Sequence, residues 1–140
     1  MKKFIKTVII SALIALCVSN FIDNVLMDNS RGALIELGAS EIYTDEDLRM
    51  ASHLVITKFR SFPAKLERLW YDEEQTILEC EYWQKQYNTD DVLILYSDFT
   101  AKDNKRALNE GFEPGMKYEK WMWVLTKNES GRWMLSTWGY

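Results

Sequence analysis

Histidine occurs once in the 140 residues, and cysteine and proline twice each. No apolar run reaches the roughly 20 residues that span a bilayer comfortably. His53 and the cysteines cannot supply the usual zinc ligand set. No Gly-x-Ser-x-Gly elbow accompanies the single histidine, which removes the commonest nucleophilic arrangement. There is no Asp-x-Asp-x-Asp-Gly loop for calcium, no internal repeat and no low-complexity segment. The sequence therefore implies no metal, no cofactor and no catalytic residue set.

What is present begins with three lysines, Lys2, Lys3 and Lys6, followed by an apolar run of 11 residues from Val8 to Val18. That order is the n-region and h-region of an export signal over residues 1–19. Cleavage after Ser19 is one expectation, with Cys17 and Ser19 supplying small side chains at the inspected positions. Retention as a membrane anchor is the other, because Phe21, Ile22, Val25, Leu26 and Met27 can prolong the helix. Either way the positive-inside rule places the body outside the cytoplasm. Acylation of Cys17 is a third route, opposed by the bulky Leu16 before it.

Removing the three leader lysines from the 17 basic residues leaves 14 against 21 acidic ones, a formal charge of −7 on the body. An acidic body lacks the clustered Lys and Arg that nucleic acid or anionic lipid requires. Membrane contact is expected only through the N-terminal segment. Beyond the leader Cys80 stands alone, which excludes an internal disulfide, so stability must come from packing of the 14% aromatic residues. Cys80 itself reads as a small buried hydrophobe.

Residues 20–40 read as a tether carrying one short edge strand around Ala33–Leu37, and residues 41–140 as a single domain of about 100 residues with one core. Thr44 is placed as a helix N-cap with Asp47 as its box partner, and Leu48, Ala51, Val55, Phe59 and Phe62 line one face up to Pro63. A strand is predicted over Lys65–Tyr71, with Leu66, Arg68 and Trp70 opposite Glu67, Leu69 and Tyr71. A second helix is predicted over 73–87, with Ile77, Cys80, Trp83 and Tyr87 facing inward. Val92–Phe99 reads as a strand buried on both faces, residues 101–117 as a polar loop, and the two segments from Tyr118 to Tyr140 as a hairpin around Asn128–Gly131. The order gives an α+β fold, two helices on one face of a mostly antiparallel sheet of about four strands. Trp121, Trp123 and Leu125 alternate with Met122 and Val124, so the other face is apolar as well and needs a cover of its own.

Tyr43-Thr44, Lys58-Phe59 with Phe62, Leu66 to Glu74 with its Tyr-Asp-Glu-Glu end, Leu95 to Phe99, and the Trp121–Tyr140 stretch with Trp-x-Trp and Trp-Gly-Tyr form a further pattern. Over about residues 39–140 this pattern resembles a family of small exported proteins from Gram-positive bacteria catalogued as a domain of unknown function. The chain departs from it at Phe62-Pro63-Ala64-Lys65, where similar proteins carry Gly-Cys. The resemblance implies an exported α+β domain with a curved sheet, of the cystatin-like or nuclear-transport-factor-like kind, and implies no activity.

The functional expectation is a non-enzymatic module that binds a ligand or a protein partner, with Trp121, Trp123, Trp138 and Asp98 as the candidate binding residues and the three tryptophans the ones to test. The alternative is a small pocket enzyme in which Asp98, at the end of a strand beside Ser97, acts as acid or base. The acids Asp72, Glu73 and Glu74 read as a joint: Asp72 caps the second helix and the two glutamates face its dipole. Asp72→Ala should lower stability by about 1 kcal/mol through loss of the cap. Thermal melting checks this, and unchanged melting with a lost calcium affinity would show the acids to be a metal site.

Overall fold

The computed structural model describes residues 28–140. The signal or anchor expected at residues 1–19, and the rest of the segment before Asp28, lie outside the described residues. Among the described residues no helix is long and apolar enough to cross a membrane.

The chain runs β1 (Leu34–Glu36), α1 (Asp45–Phe59), β2 (Ala64–Trp70), α2 (Glu73–Tyr87), β3 (Val92–Ala101), α3 (Lys105–Asn109), β4 (Lys117–Lys127) and β5 (Trp133–Gly139). The five strands form one open mixed sheet in chain order. β1 pairs parallel with β2, and every later pair is antiparallel. The fold is α+β as expected, with five strands rather than about four: the short edge strand in the segment read as a tether is a full member of the sheet. A third short helix, α3, occupies part of the polar stretch 101–117.

The two long helices do not share a face. Leu48, Ala51, Val55 and Phe59 of α1 pack with Leu93, Leu95 and Phe99 of β3 and with Trp123 and Leu125 of β4. The alternate residues Val92, Ile94, Tyr96 and Val124 form a second cluster against Cys80 and Trp83 of α2. The apolar second face is thus covered by α2, because β3 is buried on both sides and one helix can cover only one of them. Accordingly α2 turns Thr76, Cys80 and Trp83 inward, whereas Ile77 is 58% exposed. The expectation of Ile77 and Tyr87 on the buried side is corrected: the helix is weakly amphipathic, and the sheet selects the stripe.

Of the three register irregularities in the sheet, two decide which side chains of β2 and β4 share a face. A register shift between Leu66 and Arg68 lets Ala64, Leu66 and Leu69 all reach the α1 side, where strict alternation would have separated Leu66 from Leu69. In β4 Lys120 adopts φ +53, a left-handed conformation disfavoured for a residue with a Cβ. Asp98 Oδ1 accepts its backbone N–H at 2.9 Å. With Lys120 so placed, Tyr118 and Trp121 both turn toward Phe99, their rings 5.2 and 5.4 Å from it.

α1 starts on the expected capping box between Thr44 and Asp47, and Asp72 caps α2 by accepting from Gln75 N at 3.0 Å. The far end of α1 is clasped by a residue that periodicity does not mark. Asn29 is buried, and its Nδ2 donates to Phe59 O at 2.8 Å and Phe62 O at 2.9 Å. Its own carbonyl accepts from Leu66 N at 2.7 Å. Asn29→Ala should cost about 1–3 kcal/mol by stranding two carbonyls at a helix end. A urea midpoint equal to that of the unaltered chain would refute the clasp.

Candidate ligand-binding cleft

The acids of Tyr71-Asp72-Glu73-Glu74 extend the joint further than a helix cap. Glu73 accepts hydrogen bonds from Ser40 Oγ, from Tyr71 Oη at 3.2 Å and from Glu41 N at 3.0 Å. Ser40 Oγ in turn accepts from Ile42 N and Tyr43 N, each at 3.0 Å. The hydrogen bond from Ser40 is the chief reason the Glu73 carboxyl lies below its ordinary value. The loop before α1 is thereby fastened to the start of α2, although the two lie more than 30 residues apart in the chain.

That fastening brings Tyr43 across to β3. Its hydroxyl donates to Val92 O and lies 3.9 Å from Cys80 Sγ, which also reaches Val92 O at 3.5 Å. The ring meets Tyr71 and Trp133 edge to face at 5.9 and 6.1 Å. Burial raises the Tyr43 phenol and the Cys80 thiol above their ordinary values, so both stay protonated at neutral pH. Burial raises Tyr71 to about 12.

Over these groups opens a cleft of about 400 Å³. Its inner wall is Tyr43, Cys80 and Trp133; its outer lips are Ile42 and Ile77, 52% and 58% exposed. Asp47, Glu81, Gln84, Asp90, Asp91 and Lys127 complete it. Lys127 Nζ sits 4.8 Å from the centre of the Trp133 ring, 3.5 Å from Asp47 Oδ1 and 4.0 Å from Asp91 Oδ1. Asp47 carries several loads at once: it closes the capping box, accepts from Trp133 Nε1 at 2.7 Å and pairs with Lys127. Burial works against its ionisation, but the hydrogen bonds from Trp133 and Thr44 outweigh burial and hold its pKa down at about 2. Among the described residues no group of three or more His, Cys, Asp or Glu is placed to hold a metal ion.

The residues singled out from sequence lie elsewhere. Trp123 is fully buried, its Nε1 donating to Ser97 Oγ at 2.7 Å and its ring 5.3 Å from Phe59. Trp121 is partly buried among Phe99, Phe112 and Tyr118. Trp138 is 40% exposed, lying 5.9 Å from Trp123 with Lys58 Nζ 4.5 Å over its ring. Asp98 alternates with Ser97 and Phe99 and so points to the other side of the sheet. There it lines an open depression of about 320 Å³ with Arg68, Trp70, Glu119 and Lys120. The three tryptophans share the α1 side with one another and not with Asp98, and none of the four lines the cleft. Tyr43 and Thr44 stood in the sequence as a helix start, and Trp133 as one aromatic among several. Nothing in the sequence signals that Lys127 would join Asp47 across 80 positions.

No family model matches the chain, and neither does any curated protein or solved structure.

Because the Asp47 carboxyl has a lower pKa folded than its ordinary 3.8, its contribution to stability is fully present above about pH 4 and is lost as pH falls toward about 2. Asp47→Asn keeps a cap acceptor and removes that titration. Urea midpoints between about pH 2 and pH 6 should fall less steeply on acidification for the variant. Equal slopes would mean that the carboxylate is not held as described.

Proposed function

We propose that the chain is an extracytoplasmic binding module, secreted or held at the membrane by its N-terminal segment, that takes a ligand or a segment of a protein partner in this cleft. The carrying observation is the pair of exposed apolar lips, Ile42 and Ile77, over an aromatic wall in a concave site. Apolar surface gathered in a concavity with a few oriented polar groups is the ordinary composition of a binding site. The groups within reach support binding over turnover. Cys80 is held as a thiol, the Tyr43 hydroxyl is committed to Val92 O, and Asp47 is engaged by Trp133, Thr44 and Lys127.

The second reading, a small pocket enzyme, draws on Asp98 in its own depression beside Arg68 and Trp70. It has less support, because one carboxylate oxygen of Asp98 already receives the Lys120 N–H and braces the bulge in β4. The resemblance to the exported family belongs to the same proposal. Its cystatin-like or nuclear-transport-factor-like architecture has less behind it, since helices stand on both faces of this sheet.

A fragment library screened by amide and indole NMR shifts tests the assignment. Hits should cluster on Ile42, Ile77, Cys80 and the Trp133 indole. Clustering around Arg68, Trp70 and Asp98 instead would move the function to the other depression and favour the enzyme.

A further inference from the structure

We propose that the natural occupant of the cleft is an extended basic segment of another protein, in which Lys or Arg residues alternate with apolar ones. This rests on the binding-module reading and names its ligand class. Of the charged side chains lining the cleft four are carboxylates, Asp47, Glu81, Asp90 and Asp91, and one is an ammonium, Lys127. Lys127 is already placed between Asp47 and Asp91 and over the Trp133 ring. An incoming cation therefore meets carboxylate oxygens at Asp90 and Asp91, while among the described residues an incoming anion meets no positive group without an acidic partner.

Charge alone would equally admit a small amine, and shape decides against one. A second hollow, also of about 400 Å³, adjoins the first and shares Glu81, Gln84 and Asp90 with it. The second lies against the C-terminal end of α2, lined there by Asn88, Thr89 and Lys85, the last paired with Glu81 at 2.6 Å, so side by side the two hollows extend the lining from Ile42 to Thr89. Such a lining exceeds the reach of one ammonium group and suits a chain laid along it, with successive side chains turned to opposite sides. Ile42 and Ile77 offer apolar contact at one end, and the carboxylates offer ion pairs along the rim. The arrangement selects a basic peptide against nucleic acid and anionic lipid, both of which the same carboxylates repel.

The test uses the full chain and a short fluorescein-labelled peptide of alternating lysine and leucine, with a glutamate-and-leucine peptide as its counterpart. The lysine peptide should bind by anisotropy and shift the amides of Ile77, Gln84 and Asp91. Its binding should weaken steeply between about 0.05 M and 0.5 M salt. Asp90→Lys should weaken it about tenfold or more, with thermal melting unchanged because Asp90 is exposed and its side chain pairs with no cation among the described residues. Ile77→Ser, also at an exposed site, should weaken the lysine peptide while leaving the salt slope intact. If the glutamate peptide enters the cleft and the lysine peptide does not, the basic-segment assignment falls and the binding module stands. If spermine binds as tightly as the lysine peptide and Ile77→Ser has no effect, the ligand is a small amine and the peptide assignment falls. If neither peptide, nor spermine, nor any fragment shifts the cleft, both readings fall.

Discussion

β3 has no solvent side: from Val92 to Ser97 every residue is buried. A strand in that position needs an apolar cover above and below, and the rest of the architecture answers to it. α1, the crossover between the parallel strands β1 and β2, covers one face through Leu48, Ala51, Val55 and Phe59. α2, between β2 and β3, covers the other with Cys80 and Trp83. With no disulfide among the described residues, cohesion comes from edge-to-face aromatic packing, in which Phe59, Phe62, Phe99 and Phe112 lie between 5.1 and 5.7 Å from their neighbours.

Two helices on opposite faces must still be tied to each other, and the tie passes around one end of the sheet. Glu73 at the start of α2 holds Ser40 and Glu41 just ahead of α1, and Tyr43 completes the span by reaching Val92. The cleft is the space left beneath that tie. Its walls therefore belong to the folded framework: Tyr43 and Trp133 pack on the main core, and Asp47 is locked into the helix cap. A hollow walled this way is shaped by the fold itself, which would lower the ordering cost of the binding proposed for it.

The parts of the fold governed by neighbours in sequence were legible from it. The Thr44–Asp47 box, the buried stripe of α1, the Asp72 cap and the doubly buried β3 follow from local periodicity and capping chemistry. The parts set by tertiary choice were not. Which stripe of α2 faces inward depends on the sheet it meets. The bulges that put Leu69 beside Leu66, and Tyr118 beside Trp121, leave no mark in an alternating pattern. The tryptophans looked like a site because aromatic residues serve cores and binding surfaces alike, and here Trp123 fills the core. Asp98 reads from the sequence as a strand-end carboxylate, whereas β3 runs on to Ala101 and one Asp98 oxygen supports the left-handed Lys120. The acidic run at Asp72–Glu74 was readable as a joint, while its second partner, the loop at Ser40, required the third dimension.

The acid density of the cleft has a cost within the fold itself. Asp47 and Asp91 approach each other across the end of the sheet, and like charges so placed would work against closure. Lys127, at the end of β4 and between the two, offsets that repulsion, and its position over Trp133 fixes the ammonium while leaving it partly hydrated. One cation is enough to let the chain close and too few to neutralise the cleft. The negative potential that remains is carried by Asp90 and Asp91 at the rim, while Glu81 is paired with Lys85, which lines the adjoining hollow. Rim charges of this kind add little to stability and act instead on what approaches and how fast. The excess of carboxylate over ammonium thus adds little to folding, and it is the feature that the proposed basic segment would use.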